Sequence, residues 1–83
     1  MSDSYAHIEN LVRYLVESLV DSPESVRVST EAEGGAVRIT VVADPADVGK
    51  IIGRSGRTIK SIRTLARAAA SSSSFSVDVD VEG

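Results

Sequence analysis

An α+β domain is predicted, with three helices on one face of a three-stranded mixed sheet in the order helix, strand, strand, helix, helix, strand. Three observations predict it. Two stretches carry apolar residues at helical spacing, three carry strict apolar–polar alternation, and a pair of glycines breaks the second helical region in two. At 83 residues the chain makes one domain, 1–83, near the lower end of what can bury a self-sufficient core.

The first helix is predicted from about Asp3 to Asp21. Ile8, Leu11, Val12, Leu15, Val16, Leu19 and Val20 form one continuous apolar stripe at i, i+3, i+4, i+7 spacing. Asp3 or Ser4 can cap its start. Glu9–Arg13 and Arg13–Glu17 support the outer face at i,i+4. Asp21-Ser22-Pro23 ends the helix, because the residue before proline is pushed out of helical space.

A hairpin follows. Val26, Val28, Thr30 and Ala32 alternate with Arg27, Ser29 and Glu31, and Val37, Ile39 and Val41 form the return strand. Gly34-Gly35 supplies the positive φ angles of a tight turn. A two-residue loop there sets Val28 opposite Val41 and Thr30 opposite Ile39, so both apolar sets share one side. On the other side Glu31 faces Arg38, an expected cross-strand ion pair.

Asp44-Pro45-Ala46-Asp47 opens a short helix: Asp44 is a good N-cap, proline suits the first position, and Asp47 complements the dipole. It runs only to about Ile52 before the glycines. The next helix is predicted from near Gly56 to about Ala70, with Ile59, Ile62, Leu65, Ala66 and Ala69 on one face and Arg57, Lys60, Arg63 and Arg67 on the opposite side. Ser71 to Ser74 reads as a helix exit. Phe75, Val77, Val79 and Val81 alternate with Ser76, Asp78, Asp80 and Glu82, a third strand with one buried face.

Composition excludes several classes. Hydrophobic content of 42% and a mean hydropathy of +0.05 describe a folded chain. There is no cysteine, hence no disulfide and no thiolate metal site, and no cofactor is expected. No apolar run approaches membrane-spanning length and the N-terminus lacks a signal-peptide pattern, so a cytoplasmic location is expected. The net charge of −3 hides a strong asymmetry. Residues 50–67 hold Lys50, Arg54, Arg57, Lys60, Arg63 and Arg67 and no acid, a +6 segment on a body of −9.

That basic segment surrounds Ile52-Gly53-Arg54-Ser55-Gly56-Arg57-Thr58-Ile59-Lys60-Ser61-Ile62. Glycines let the backbone turn sharply and approach a ligand, and the helix behind them offers N–H donors and a positive dipole end. Gly53 and Gly56 present no side chain to a sugar–phosphate backbone. Arg54 and Ser55 can meet phosphates by charge and hydrogen bond, with Lys50, Arg57 and Lys60 flanking the path. Ile52 can touch bases. The aromatic residues are only Tyr5, Tyr14 and Phe75, too few for a stacking platform.

The stretch Val48-Gly49-Lys50-Ile51-Ile52-Gly53-Arg54-Ser55-Gly56-Arg57-Thr58-Ile59-Lys60-Ser61-Ile62-Arg63-Thr64 resembles the signature of the small bacterial single-KH-domain proteins of the KhpA (YlqC) family. The resemblance implies a type II KH domain with its GXXG loop at 53–56, in a cytoplasmic RNA-binding protein that clamps short single-stranded RNA. It also implies a homodimer, a larger KH-containing KhpB-like partner, and a role as post-transcriptional regulator or RNA chaperone, in some bacteria tied to cell shape and division. The acidic last strand and the four serines fall outside the signature.

Three rival readings stand beside this one. The first is a protein–protein module that keeps the KH shape and acts through a partner. The second is a helix-turn-helix DNA binder built from residues 45–52 and 57–70, disfavoured because the cations cluster at the turn. The third is an enzyme, the weakest, since the single His7 has no nucleophile or metal-ligand partner at useful spacing. Gly49-Lys50-Ile51-Ile52-Gly53 contains a GxxxG, but in no apolar span, so no membrane role follows.

Overall fold

The computed structural model describes residues 5–83. The caps expected at Asp3 or Ser4 lie outside the described residues. Helix α1 runs Ala6–Glu17, strands β1 and β2 run Arg27–Glu33 and Ala36–Val42, helix α2 runs Val48–Ile52, helix α3 runs Arg57–Ala69, and strand β3 runs Ser76–Glu82. Single 3-10 turns at Pro23–Ser25, Pro45–Asp47 and Arg54–Gly56 join them. The sheet order is β1-β2-β3, antiparallel between the first pair and parallel between the second. This is the predicted α+β architecture in the predicted order.

The hairpin has the register that Gly34-Gly35 requires: Val28 opposes Val41, Thr30 opposes Ile39, and both glycines have positive φ. Across β2 and β3, Val37 lies beside Val77 and Ile39 beside Val79. Those valines and isoleucines form one apolar layer, and Ile8, Val12 and Val16 of α1, Ile51 of α2 and Ile59, Ile62 and Ala66 of α3 close over it. Phe75 precedes β3 and meets Tyr5 edge-on, ring centroids 6.4 Å apart.

Four expectations need correction. Helix α1 stops at Glu17, not Asp21. Ser18 N–H and Oγ both donate to the Tyr14 carbonyl, and the N–H groups of Asp21 and Ser22 go to the Asp47 carboxylate rather than to helical carbonyls. Leu19 is consequently exposed, outside the buried stripe. Leu65 is also exposed, at 48%, because it lies about 100° round α3 from buried Ala66. Ala32 is exposed at the hairpin end, beyond the reach of the helices. Glu31 does oppose Arg38, but the Arg38 guanidinium pairs with Asp80 on the neighbouring strand instead, Nε to Oδ2 3.7 Å.

Asp47 has more to do than complement a dipole. It is 2% exposed, the one buried charged residue among those described. Its two oxygens accept from Asp21 N–H at 3.3 Å and Ser22 N–H at 3.1 Å, tying the exit of α1 to the entry of α2. A carboxylate buried there is satisfied, as burial of a charge demands.

Candidate functional site

The site begins with the way α2 ends. Asp44 caps the preceding turn by accepting from Ala46 N–H at 2.9 Å. Fully buried Ile51 anchors α2 to the core, which turns its neighbour Ile52 outward. The helix then stops at Gly53, whose φ of 79° and ψ of 172° form a conformation essentially reserved for glycine. Gly53 N–H donates to Gly49 carbonyl at 2.8 Å, and Gly56 N–H returns to Gly53 carbonyl at 3.1 Å. Ser55 and Gly56 are both left-handed, at φ 57° and 71°. The loop therefore rises between α2 and α3 and folds back on itself within four residues.

The two glycines are required for different reasons. A Cβ on Gly53 would collide with Thr58 Oγ1 and lie 2.6 Å from Thr58 Cβ. Gly56 has open space around it and is required only by its φ. The close neighbour at Gly53 is thus the first turn of α3. Thr58 is a structural member of this loop that the sequence reading did not single out.

The side chains around the loop divide into two groups. Arg54, Ser55, Arg57, Lys60 and Ile52 are exposed, and Gly53 and Gly56 are half-buried. Among the described residues, Arg54, Arg57 and Lys60 have no carboxylate within 4.0 Å. Their charge is directed at solvent around the loop and the first turn of α3. Lys50 differs. Its ammonium lies 2.9 Å from Asp21 Oδ2 and 3.2 Å from Asp47 Oδ1. The hydrogen bonds to Asp21 and then Asp47 raise its pKa. Burial pushes the Asp47 carboxyl up, but the N–H groups of Asp21 and Ser22 and the Lys50 ammonium outweigh it and hold that carboxyl below its ordinary value.

Arg63 and Arg67 are likewise engaged, on β3 rather than on the open side of α3. Arg63 pairs with Asp78 and Asp80, and Arg67 with Asp78. Of the six cations in the basic segment, three are therefore occupied within the chain and three are free among the described residues. Strand alternation places Asp78 and Asp80 on one side, but nothing local in the sequence pairs them with α3, or Lys50 with Asp21.

This arrangement suits a chain of phosphates. Two exposed guanidinium groups, an ammonium and a hydroxyl stand around a loop that begins and ends on glycine, with one exposed aliphatic residue, Ile52, beside it. It does not suit a helix-turn-helix, since α2 has only five residues. No group of three or more histidine, cysteine or acidic side chains able to hold a metal occurs among the described residues, nor any helix long and apolar enough to cross a membrane.

A family model described as KhpA/KhpB, KH domain, matches residues 9–81. The RNA-binding protein KhpA of Halalkalibacterium halodurans is 38% identical over 74 residues, which cover 89% of this chain and 97% of that protein. The RNA-binding protein KhpA of Bacillus subtilis is 37% identical over 75 residues, 90% of this chain and 93% of that one. For the Leifsonia xyli RNA-binding protein KhpA the identity is 41% over 66 residues, 80% and 87% of the two chains. A crystal structure of Aquifex aeolicus Era superposes over 99% of this chain with a TM-score of 0.69 and 16% identity. This chain spans 33% of that one, and the likeness is one of fold.

Proposed function

The chain belongs to the KhpA/KhpB family of KH domains, and on that premise we propose that it is an RNA-binding protein whose Gly53–Gly56 loop clamps a short single strand by its backbone. The family is one of RNA-binding proteins, not enzymes. The observation that carries the reading is the division of charge: among the described residues Arg54, Arg57 and Lys60 are free at the loop while the other cations of the segment are occupied.

The mechanism follows from the groups present. Phosphate oxygens accept from the Arg54 and Arg57 guanidinium groups and the Ser55 hydroxyl, and Lys60 adds a point charge one turn along α3. The N-terminal end of α3 adds its positive dipole end towards the same strand without reading its bases, while Arg57 N–H itself stays on the Arg54 carbonyl. Ile52 supplies an apolar contact for a base edge. Lys50 stands on this path, but its ammonium serves Asp21 and Asp47 first. With about four nucleotides per module and no aromatic platform at the loop, base preference is weak. Pairing adds avidity, through a second copy of this chain or a KhpB-like protein. In a cytoplasmic setting such a module acts as a post-transcriptional regulator or RNA chaperone.

A salt titration tests the ligand class. If about three phosphates are neutralised, the log–log slope of affinity for a single-stranded oligoribonucleotide is roughly −2. Tighter binding to duplex DNA, with single strands ignored, overturns the proposal. Light scattering of the chain alone and with a co-purified partner tests pairing: monomer only, at high micromolar concentration and with no partner retained, overturns that part.

A further inference from the structure

Two arginines beyond the loop are already occupied, by carboxylates, which like a phosphodiester spread one negative charge over two acceptor oxygens. Arg57, Lys60, Arg63 and Arg67 recur every three or four residues along α3, over about 15 Å of helix rise. The first two are free among the described residues. The last two lean over the edge of β3. Ser76 N–H and Glu82 carbonyl point towards the hairpin, so Val77 and Val79 present their carbonyls to the opposite, unpaired edge. Arg63 Nε donates to Val79 carbonyl at 2.9 Å and Arg67 Nε to Val77 carbonyl at 3.3 Å.

The same guanidinium groups also lie near acids, Arg63 through Nε and Nη2 and Arg67 through Nη2. Arg63 lies 3.6 Å from Asp78 Oδ1 and 3.6 Å from Asp80 Oδ1, and Arg67 lies 3.5 Å from Asp78 Oδ1. These separations exceed hydrogen-bond length, and the side chains are 35–59% exposed. Exposed pairs of this kind hold weakly, whereas a phosphate can take an arginine by two short charge-assisted hydrogen bonds. Neither acid is stranded if its arginine leaves. Asp78 still accepts from Val79 N–H at 2.9 Å, and Asp80 still has Arg38 at 3.7 Å.

We infer that Arg63 and Arg67 are a second phosphate-binding segment, continuing the track of Arg57 and Lys60 along α3, in which Asp78 and Asp80 hold the places of RNA phosphates until a longer strand displaces them. The inference rests on the reading of the Gly53–Gly56 loop as a single-strand clamp. A strand confined to the loop leaves the pairs intact. A strand that runs on along α3 exchanges two carboxylates for two phosphodiesters, and binding becomes length-dependent.

The test is fluorescence anisotropy with labelled oligouridylates of about four and about twelve nucleotides, at fixed salt, on the full chain. Asp78→Asn with Asp80→Asn frees both arginines and keeps an oxygen that can accept from Val79 N–H. Arg63→Gln with Arg67→Gln removes the segment. Glu31→Gln with Glu33→Gln removes the same charge from exposed sites on β1 and serves as the control. Circular dichroism confirms folding of each, and the aspartate pair carries the test alone if the arginine pair unfolds. We expect the aspartate pair to tighten the long strand at least about threefold and the short one by less than about twofold, with the control near the parent for both. The arginine pair should weaken only the long strand. A parent that binds the short strand but gains or loses nothing on the long one in these variants overturns the inference alone. So does an equal gain in the glutamate control, which makes the effect one of net charge. A parent that binds neither strand overturns the clamp as well.

Discussion

Thr58 occupies the space that a side chain on Gly53 would need: a Cβ there would collide with Thr58 Oγ1 and come within 2.6 Å of Thr58 Cβ. The loop is thus closed by its own next helix, and the first glycine is fixed by packing as well as by backbone angle. Gly56, three residues on, carries only the angular requirement.

Gly53→Ala should therefore cost more than Gly56→Ala. Holding alanine in the left-handed region at Gly56 costs about 1–2 kcal/mol. At Gly53 the collision adds to the strain, for a loss above roughly 3 kcal/mol or a rebuilt loop. Urea unfolding of the two variants gives the comparison. Equal losses would mean that Thr58 yields without cost.

Ser55 has a φ of 57°, which a β-branched residue resists. Ser55→Val should destabilise the fold by about 1–2 kcal/mol, whereas Ser55→Asn should stay within about 0.5 kcal/mol of the parent. Thermal melts of both report the difference. A valine variant as stable as the asparagine one would show that the loop relaxes to another turn.

How far was this fold legible in the sequence? Period-two and helical apolar patterns are properties of neighbouring residues, so the six elements, the hairpin register and the core valines could be read directly. Ile8, Val12, Val16, Ile39 and Val79 fall where the stripes place them. The end of α1 was not legible, because Asp47, 26 residues away from Asp21, captures the backbone there. For the same reason the sequence does not show how much of the basic segment is free. Composition gives the number of cations, but only the fold brings Asp21 to Lys50 and Asp78 to Arg63. The glycine loop was legible as a motif, while the second reason for its first glycine, beyond its backbone angles, lies in Thr58.

The tie between α1 and α2 makes an acid-side prediction. The Asp47 carboxyl is held below its ordinary value, so its folded-state pKa is lower than its unfolded one. Such a group contributes fully above the ordinary carboxylate range, and the contribution is lost as pH falls through that range and below it. Asp47→Asn should lower the melting temperature at pH 7 by more than about 4 °C and flatten its decline between about pH 5 and 3. A parallel decline in parent and variant would place the acid sensitivity elsewhere.

Ile51 anchors α2 to the core with no exposure to solvent, next to the free loop. Ile51→Ala should cost about 2–5 kcal/mol through the cavity it leaves. Because α2 has only five residues, that loss should loosen the loop before the sheet. Hydrogen exchange resolved by residue should show protection falling first at residues 48–56. Uniform loss across the chain would contradict a locally anchored loop.

The central claim is that the side chains at the tip of the loop hold RNA, and one variant isolates it. Arg54→Asp with Ser55→Asp keeps both glycines, and aspartate tolerates the left-handed angle at position 55 better than most residues. Both positions are exposed, so stability should shift by about 0.5 kcal/mol for each. Two carboxylates would then face the phosphates where a cation and a hydroxyl stood. The account predicts unchanged circular dichroism and at least about a tenfold loss of affinity for a single-stranded oligoribonucleotide, roughly 1.4 kcal/mol. A variant that folds as the parent does and binds RNA equally well would contradict it and leave this loop to an interaction with a protein partner.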